Sequence, residues 1–95
     1  MFVVVLTYRA DLARVDEALQ DHIAWLDRQY ADGVFIASGR RVPRVGGVIL
    51  AGGLSAEDLE RRLAEDPFRR LGLAEYAVTE FVASRAAAGF ERLLS

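Results

Sequence analysis

The chain has 95 residues, 53% of them hydrophobic and 27% charged, with a formal net charge of −2, the make-up of one compact domain over residues 1–95 rather than of a disordered or fibrous chain. With no cysteine and a single histidine, disulfides, thiolate catalysis and thiolate or histidine-rich metal sites drop out, so no metal and no cofactor is expected. The longest apolar run, Phe2-Val3-Val4-Val5-Leu6, is too short to span a bilayer and follows no basic segment of the kind a signal peptide needs, which predicts a cytoplasmic chain without a membrane partner.

That opening run is apolar at every position, the pattern of a central strand covered on both faces. Asp11 can cap a helix that Asp32-Gly33 ends, since glycine accepts the left-handed conformation common at helix termini. The expected helix covers residues 12–31, with an interruption near Gln20. Val34-Phe35-Ile36-Ala37-Ser38 reads as a second strand closing at Gly39. A polar turn through Pro43 leads to a third strand over residues 45–51, whose Gly46-Gly47 pair predicts a bulge or a close backbone approach. Ser55 then caps a helix whose third residue is Asp58, with Leu54 and Leu59 at the staple positions and Leu63 on the same inner face. Pro67 ends that helix after Asp66, because a residue before proline is pushed out of helical geometry. Residues 76–82 form a fourth strand that is apolar or aromatic on both faces. In the tail, Phe90, Leu93 and Leu94 stand at helical spacing and suggest a short docked helix, which Gly89 weakens.

The order strand, helix, strand, strand, helix, strand is that of a ferredoxin-like α+β fold, a four-stranded antiparallel sheet with both helices on one face. Strands apolar on both sides leave the helix-free face in need of cover, so a homodimer through that face is expected. The arginine pairs Arg40-Arg41, Arg61-Arg62 and Arg69-Arg70 are dispersed among carboxylates and give no general attraction to nucleic acid.

The one histidine carries the chemical interest. Leu12, Val15, Leu19, His22, Leu26 and Tyr30 recur at steps of three and four, which places the imidazole in a core-facing stripe. A buried ring without a hydrogen bond costs about 1 to 3 kcal/mol, so His22 is either a satisfied structural residue or the lining of a pocket.

Several spaced blocks together resemble the YciI-like (YCII-related) family, small dimeric proteins similar in fold to muconolactone isomerase and of the dimeric α/β barrel type. They are the strand end Thr7-Tyr8, His22-Ile23-Ala24-Trp25-Leu26, Gly33 followed by Val34 to Gly39, the Gly46-Gly47 strand, and Asp66-Pro67-Phe68. The resemblance implies that His22 and Asp66 form a catalytic pair, the carboxylate fixing the tautomer of the ring. Read alone, Asp66 only organises a turn before proline. Ser38, Gly39 and Arg40 end the second strand beside the presumed site and are candidates for substrate binding. No nucleophile-elbow motif surrounds Ser38. Two departures from the family stand out. Arg40 replaces a common proline, and Leu19 occupies a position where many members carry an arginine, so an anion contact made from that position is not carried over. Arg40, Arg41 and Arg44 read either as solvated loop charges or as a clamp for a carboxylate. Trp25 and Tyr8 read as packing before ligand stacking. The expected function is therefore general acid/base chemistry on a small anionic metabolite: proton abstraction with isomerisation or elimination, or hydrolysis. The competing expectation is a non-enzymatic ligand-binding or regulatory dimer in which His22 is structural. A concave, solvent-connected pocket reached by both His22 and Asp66 favours the enzyme, and an imidazole sealed among packed side chains favours the binding protein.

Overall fold

The computed structural model describes residues 1–94. Strand β1 (Phe2–Tyr8) is followed by helices α1 (Leu12–Glu17) and α2 (Leu19–Ala31), the hairpin β2 (Phe35–Arg40) and β3 (Gly46–Ala51), helix α3 (Ala56–Ala64), the single-turn helix α4 (Pro67–Arg70) and strand β4 (Ala74–Glu80). The sheet order is β2-β3-β1-β4, antiparallel throughout, with β1 and β3 central. This is the ferredoxin-like α+β arrangement.

Side chains alternate across a strand, and β1 shows it directly. Phe2, Val4 and Leu6 are buried under the helices with Ile49 and Ala51 of β3, while Val3 and Val5 are only partly covered. Their cross-strand partners Leu50 and Val48 lie on that same helix-free face, where Val48 is 37% exposed. The close approach expected at the glycine pair occurs at Gly46, where an added Cβ would stand 1.8 Å from the Leu6 carbonyl oxygen. The irregularity in the hairpin falls elsewhere, between Phe35 and Ala37 of β2.

The expected long helix is broken at Ala18, two residues before the expected interruption. The stripe read from the sequence is only partly inward. Leu12 and Tyr30 are exposed, and the buried line of α2 runs through Trp25 and Gln29. Trp25 Nε1 donates to the Arg62 carbonyl at 2.9 Å, and Gln29 Oε1 accepts from Arg62 Nη1 at 2.8 Å, which ties α2 to α3.

Ser55 caps α3 as expected, its hydroxyl accepting from the Asp58 N–H at 3.1 Å. Pro67 does more than close α3. It is the first residue of α4, where a missing N–H costs nothing and the fixed φ suits a helix start. Strand β4 begins and ends two residues earlier than expected. The Phe81 N–H still reaches the Met1 carbonyl, and Val82 is 73% exposed. The tail forms only a 3-10 turn over Glu91–Leu93, with Phe90 and Leu94 exposed rather than docked. Among the described residues no helix is long and apolar enough to cross a membrane.

Candidate functional site

The site is built where α2, α4 and β4 meet. Asp66 is the N-cap of α4 and is fully buried, so its carboxylate must find its partners inside the protein. Its Oδ1 accepts from the Phe68 N–H at 3.0 Å and lies 2.8 Å from His22 Nδ1. Its Oδ2 accepts from the Tyr76 hydroxyl. Burial first, and then the neighbouring carboxylate, push the Tyr76 phenol up, so it stays protonated and donates. A carboxylate only accepts, so His22 Nδ1 carries a proton in this bond, and in the neutral tautomer that fits it Nε2 is the acceptor.

The imidazole is clamped as well as bonded. It stacks on the Phe68 ring with centroids 3.9 Å apart and planes 6° from parallel, and the Trp25 ring lies 5.7 Å away. Phe68 therefore acts twice, its N–H fixing the carboxylate and its ring fixing the plane of the histidine. The turn-organising role of Asp66 and its bond to His22 are two uses of one oxygen.

His22 is not sealed in. Its side chain is 12% exposed, and it lines a cavity of about 280 Å³ bounded by Leu19, Ile23 and Leu26 of α2, Leu6 and Tyr8 of β1, residues 46–49 of β3, and Phe68. Ser38, Gly39 and Arg40 border the same cavity from β2. Asp66 does not; it is fully buried and is hydrogen-bonded to His22, which does. The Ser38 hydroxyl is within 2.7 Å of the Tyr30 hydroxyl, and either can donate. Of the loop arginines, Arg40 and Arg44 border the cavity, whereas Arg41 turns to β1 and donates to Thr7 Oγ1 at 3.0 Å. Among the described residues no three of His, Asp and Glu cluster as a bound metal ion would require.

Sequence reasoning passed over Tyr76 and Phe68 as site residues. An inward-facing tyrosine in a strand needs a partner for its hydroxyl, and that signal was available. Which group it meets depends on how β4 lies over α4, a long-range relation with no local trace.

Among curated proteins none matches the chain by sequence. Solved structures do match. One is the 5-chloro-2-hydroxyhydroquinone dehydrochlorinase TftG from Burkholderia phenoliruptrix AC1100, in complex with 2,5-dihydroxybenzoquinone. It superposes with a TM-score of 0.74 at 17% identity, covering 86% of this chain and 93% of that one. The family model of the YCII-related domain matches residues 1–82. With the model spanning most of the sequence and the fold in agreement, the chain belongs to the YCII-related domain family.

Proposed function

We propose that this chain is a small enzyme in which His22 transfers a proton at an anionic metabolite held in the cavity, with Asp66 orienting the ring. The observation that carries the reading is the placement of the imidazole between a fully buried carboxylate and an open, mostly apolar cavity. Asp66 holds Nδ1–H, so Nε2 is the basic atom. It takes a proton from carbon beside a carbonyl, and the carboxylate stabilises the imidazolium that forms. Return of that proton to a different atom of the substrate is isomerisation; its delivery to a departing group is elimination. Activation of a water molecule in place of carbon would give hydrolysis. The dehydrochlorination named for the structurally similar TftG is an elimination, which favours that outcome among the three. Ser38, Gly39 and Arg40 contact the substrate from the β2 side. The active form is a homodimer that covers the helix-free sheet face, a reading supported by the apolar, partly exposed Val3, Val5, Val48 and Leu50.

The test is a proton-exchange assay in D2O with a panel of small cyclic keto acids and lactones, following loss of the hydrogen next to the carbonyl by NMR. Wild-type protein is expected to exchange it, and His22→Gln to lose about 10²- to 10⁴-fold in rate. Equal rates for the two proteins would return His22 to a structural role and favour a binding protein.

A further inference from the structure

Arg44 comes from the loop between β2 and β3, borders the His22 cavity, and pairs with Asp16, with the Tyr8 hydroxyl also beside it. Its Nη2 donates to Asp16 Oδ1 of α1 at 2.5 Å, while its Nε is buried and has no hydrogen-bond partner. Nε and Nη2 lie along one edge of the planar guanidinium, and a carboxylate matches such an edge with two parallel bonds. Asp16 uses half of it. A buried N–H without an acceptor is unfavourable, whereas the Asp16 side chain is 53% exposed and can leave for water. Pairing with Asp16 raises the already high guanidinium pKa, so the charge on Arg44 is permanent.

We propose that Arg44 is the anion anchor of the cavity and that Asp16 is an internal carboxylate standing in for the ligand's own. This rests on the cavity being a small-molecule site and names what enters it: a carboxylate with a compact apolar or aromatic body. The carboxylate replaces Asp16 on the Nε–Nη2 edge, and the body lies against Leu19, Ile23 and Phe68 toward His22. Arg40, whose side chain makes no hydrogen bond or ion pair among the described residues and which borders the same space, adds a second positive charge. The anchor thus comes from the hairpin loop, far in sequence from both His22 and Asp66.

The chain's only histidine supplies a clean readout. In tag-free, full-length protein labelled at histidine, the single Cε1–H resonance reports His22, and benzoate with neutral benzamide serves as the probe pair. Benzoate is expected to shift that resonance saturably, and benzamide to bind at least about tenfold more weakly. Arg44→Ala and Arg44→Lys should each weaken benzoate by about tenfold or more, because lysine restores the charge without the fork. Asp16→Asn should tighten it about threefold or more by removing the competing carboxylate. Unchanged benzoate affinity in both Arg44 variants, weaker binding in Asp16→Asn, equal binding of benzamide, or no benzoate binding in the wild type would each overturn the assignment. The catalytic reading is judged separately, from the ¹⁵N tautomer pattern of His22 in the free protein. A protonated Nδ1 beside an altered benzoate result leaves the His22–Asp66 pair standing while the anchor falls.

Discussion

Replacing Asp66 should separate the carboxylate's structural work from its other roles. Asp66→Ala strands three donors at once, the Phe68 N–H, the His22 Nδ1–H and the Tyr76 hydroxyl, at a point where the carboxyl group is 0% exposed. The Phe68 N–H bond is the helix cap, whose loss costs about 1 kcal/mol, and each of the other two donors left without an acceptor costs about 1 to 3 kcal/mol, less where the side chain can turn toward water. A total of about 3 to 6 kcal/mol is a large share of the roughly 5 to 15 kcal/mol that holds a domain folded. Asp66→Asn is a milder change. Its amide oxygen can keep both bonds made by Oδ1, and its NH2 can donate to the Tyr76 hydroxyl, which then accepts. What is lost is the charge assistance, about 1 to 2 kcal/mol. Urea unfolding followed by the fluorescence of Trp25, the only tryptophan and fully buried, reads both values. The argument fails if the alanine variant loses less than about 1 kcal/mol, or if asparagine costs as much as alanine.

Other outcomes follow from the packing. Gly46→Ala would drive its Cβ to 1.8 Å from the Leu6 carbonyl oxygen, which forces β1 and β3 apart; a loss of about 1 to 3 kcal/mol or more is expected in the same urea assay. Sedimentation at micromolar concentration should show twice the 10.5 kDa chain mass, and Val5→Glu should return it to the single-chain value by placing a charge in the covered face. A wild-type species of 10.5 kDa alone would remove the dimer. Tyr76→Phe should lower stability by about 1 to 2 kcal/mol, because Asp66 Oδ2 loses the one hydrogen bond the phenol makes to it; no change would mean the hydroxyl bond contributes nothing.

Local signals in the sequence were the most legible. The Ser55 cap, the left-handed Gly33 with φ +75° and the close approach at Gly46 each follow from one or two residues and their neighbours. The break at Ala18 carries no glycine or proline to mark it, and the buried line through Val15, Ala18, Trp25 and Gln29 has the same helical spacing as the stripe read from the sequence, so spacing alone did not choose between them. Strand β4 was read two residues late because Phe81 and Val82 look like strand residues, whereas its ladder with β1 ends at the Phe2 and Glu80 pair. The candidate site divides along the same line. His22 and Asp66 were found through a resemblance between sequence blocks, and the structure brings them within hydrogen-bond distance. Tyr76 and Phe68 join them only through tertiary packing, and of the three loop arginines read as a candidate clamp the structure places Arg40 and Arg44 at the cavity.

The three donors around Asp66 also set an order of assembly. His22 lies early in the chain, Phe68 after α3, and Tyr76 on the last strand, which pairs with the first along Phe2–Tyr8. Contacts that distant in sequence close late, since their loop entropy must be overcome before they reward the chain. A polypeptide still leaving the ribosome with β1 through α3 in hand would carry an unaligned imidazole. Pairing of the first strand with the last is therefore the step that brings Tyr76 onto Asp66, and a chain truncated before β4 should hold the histidine through Asp66 and Phe68 alone, with one carboxylate oxygen lacking its hydroxyl partner.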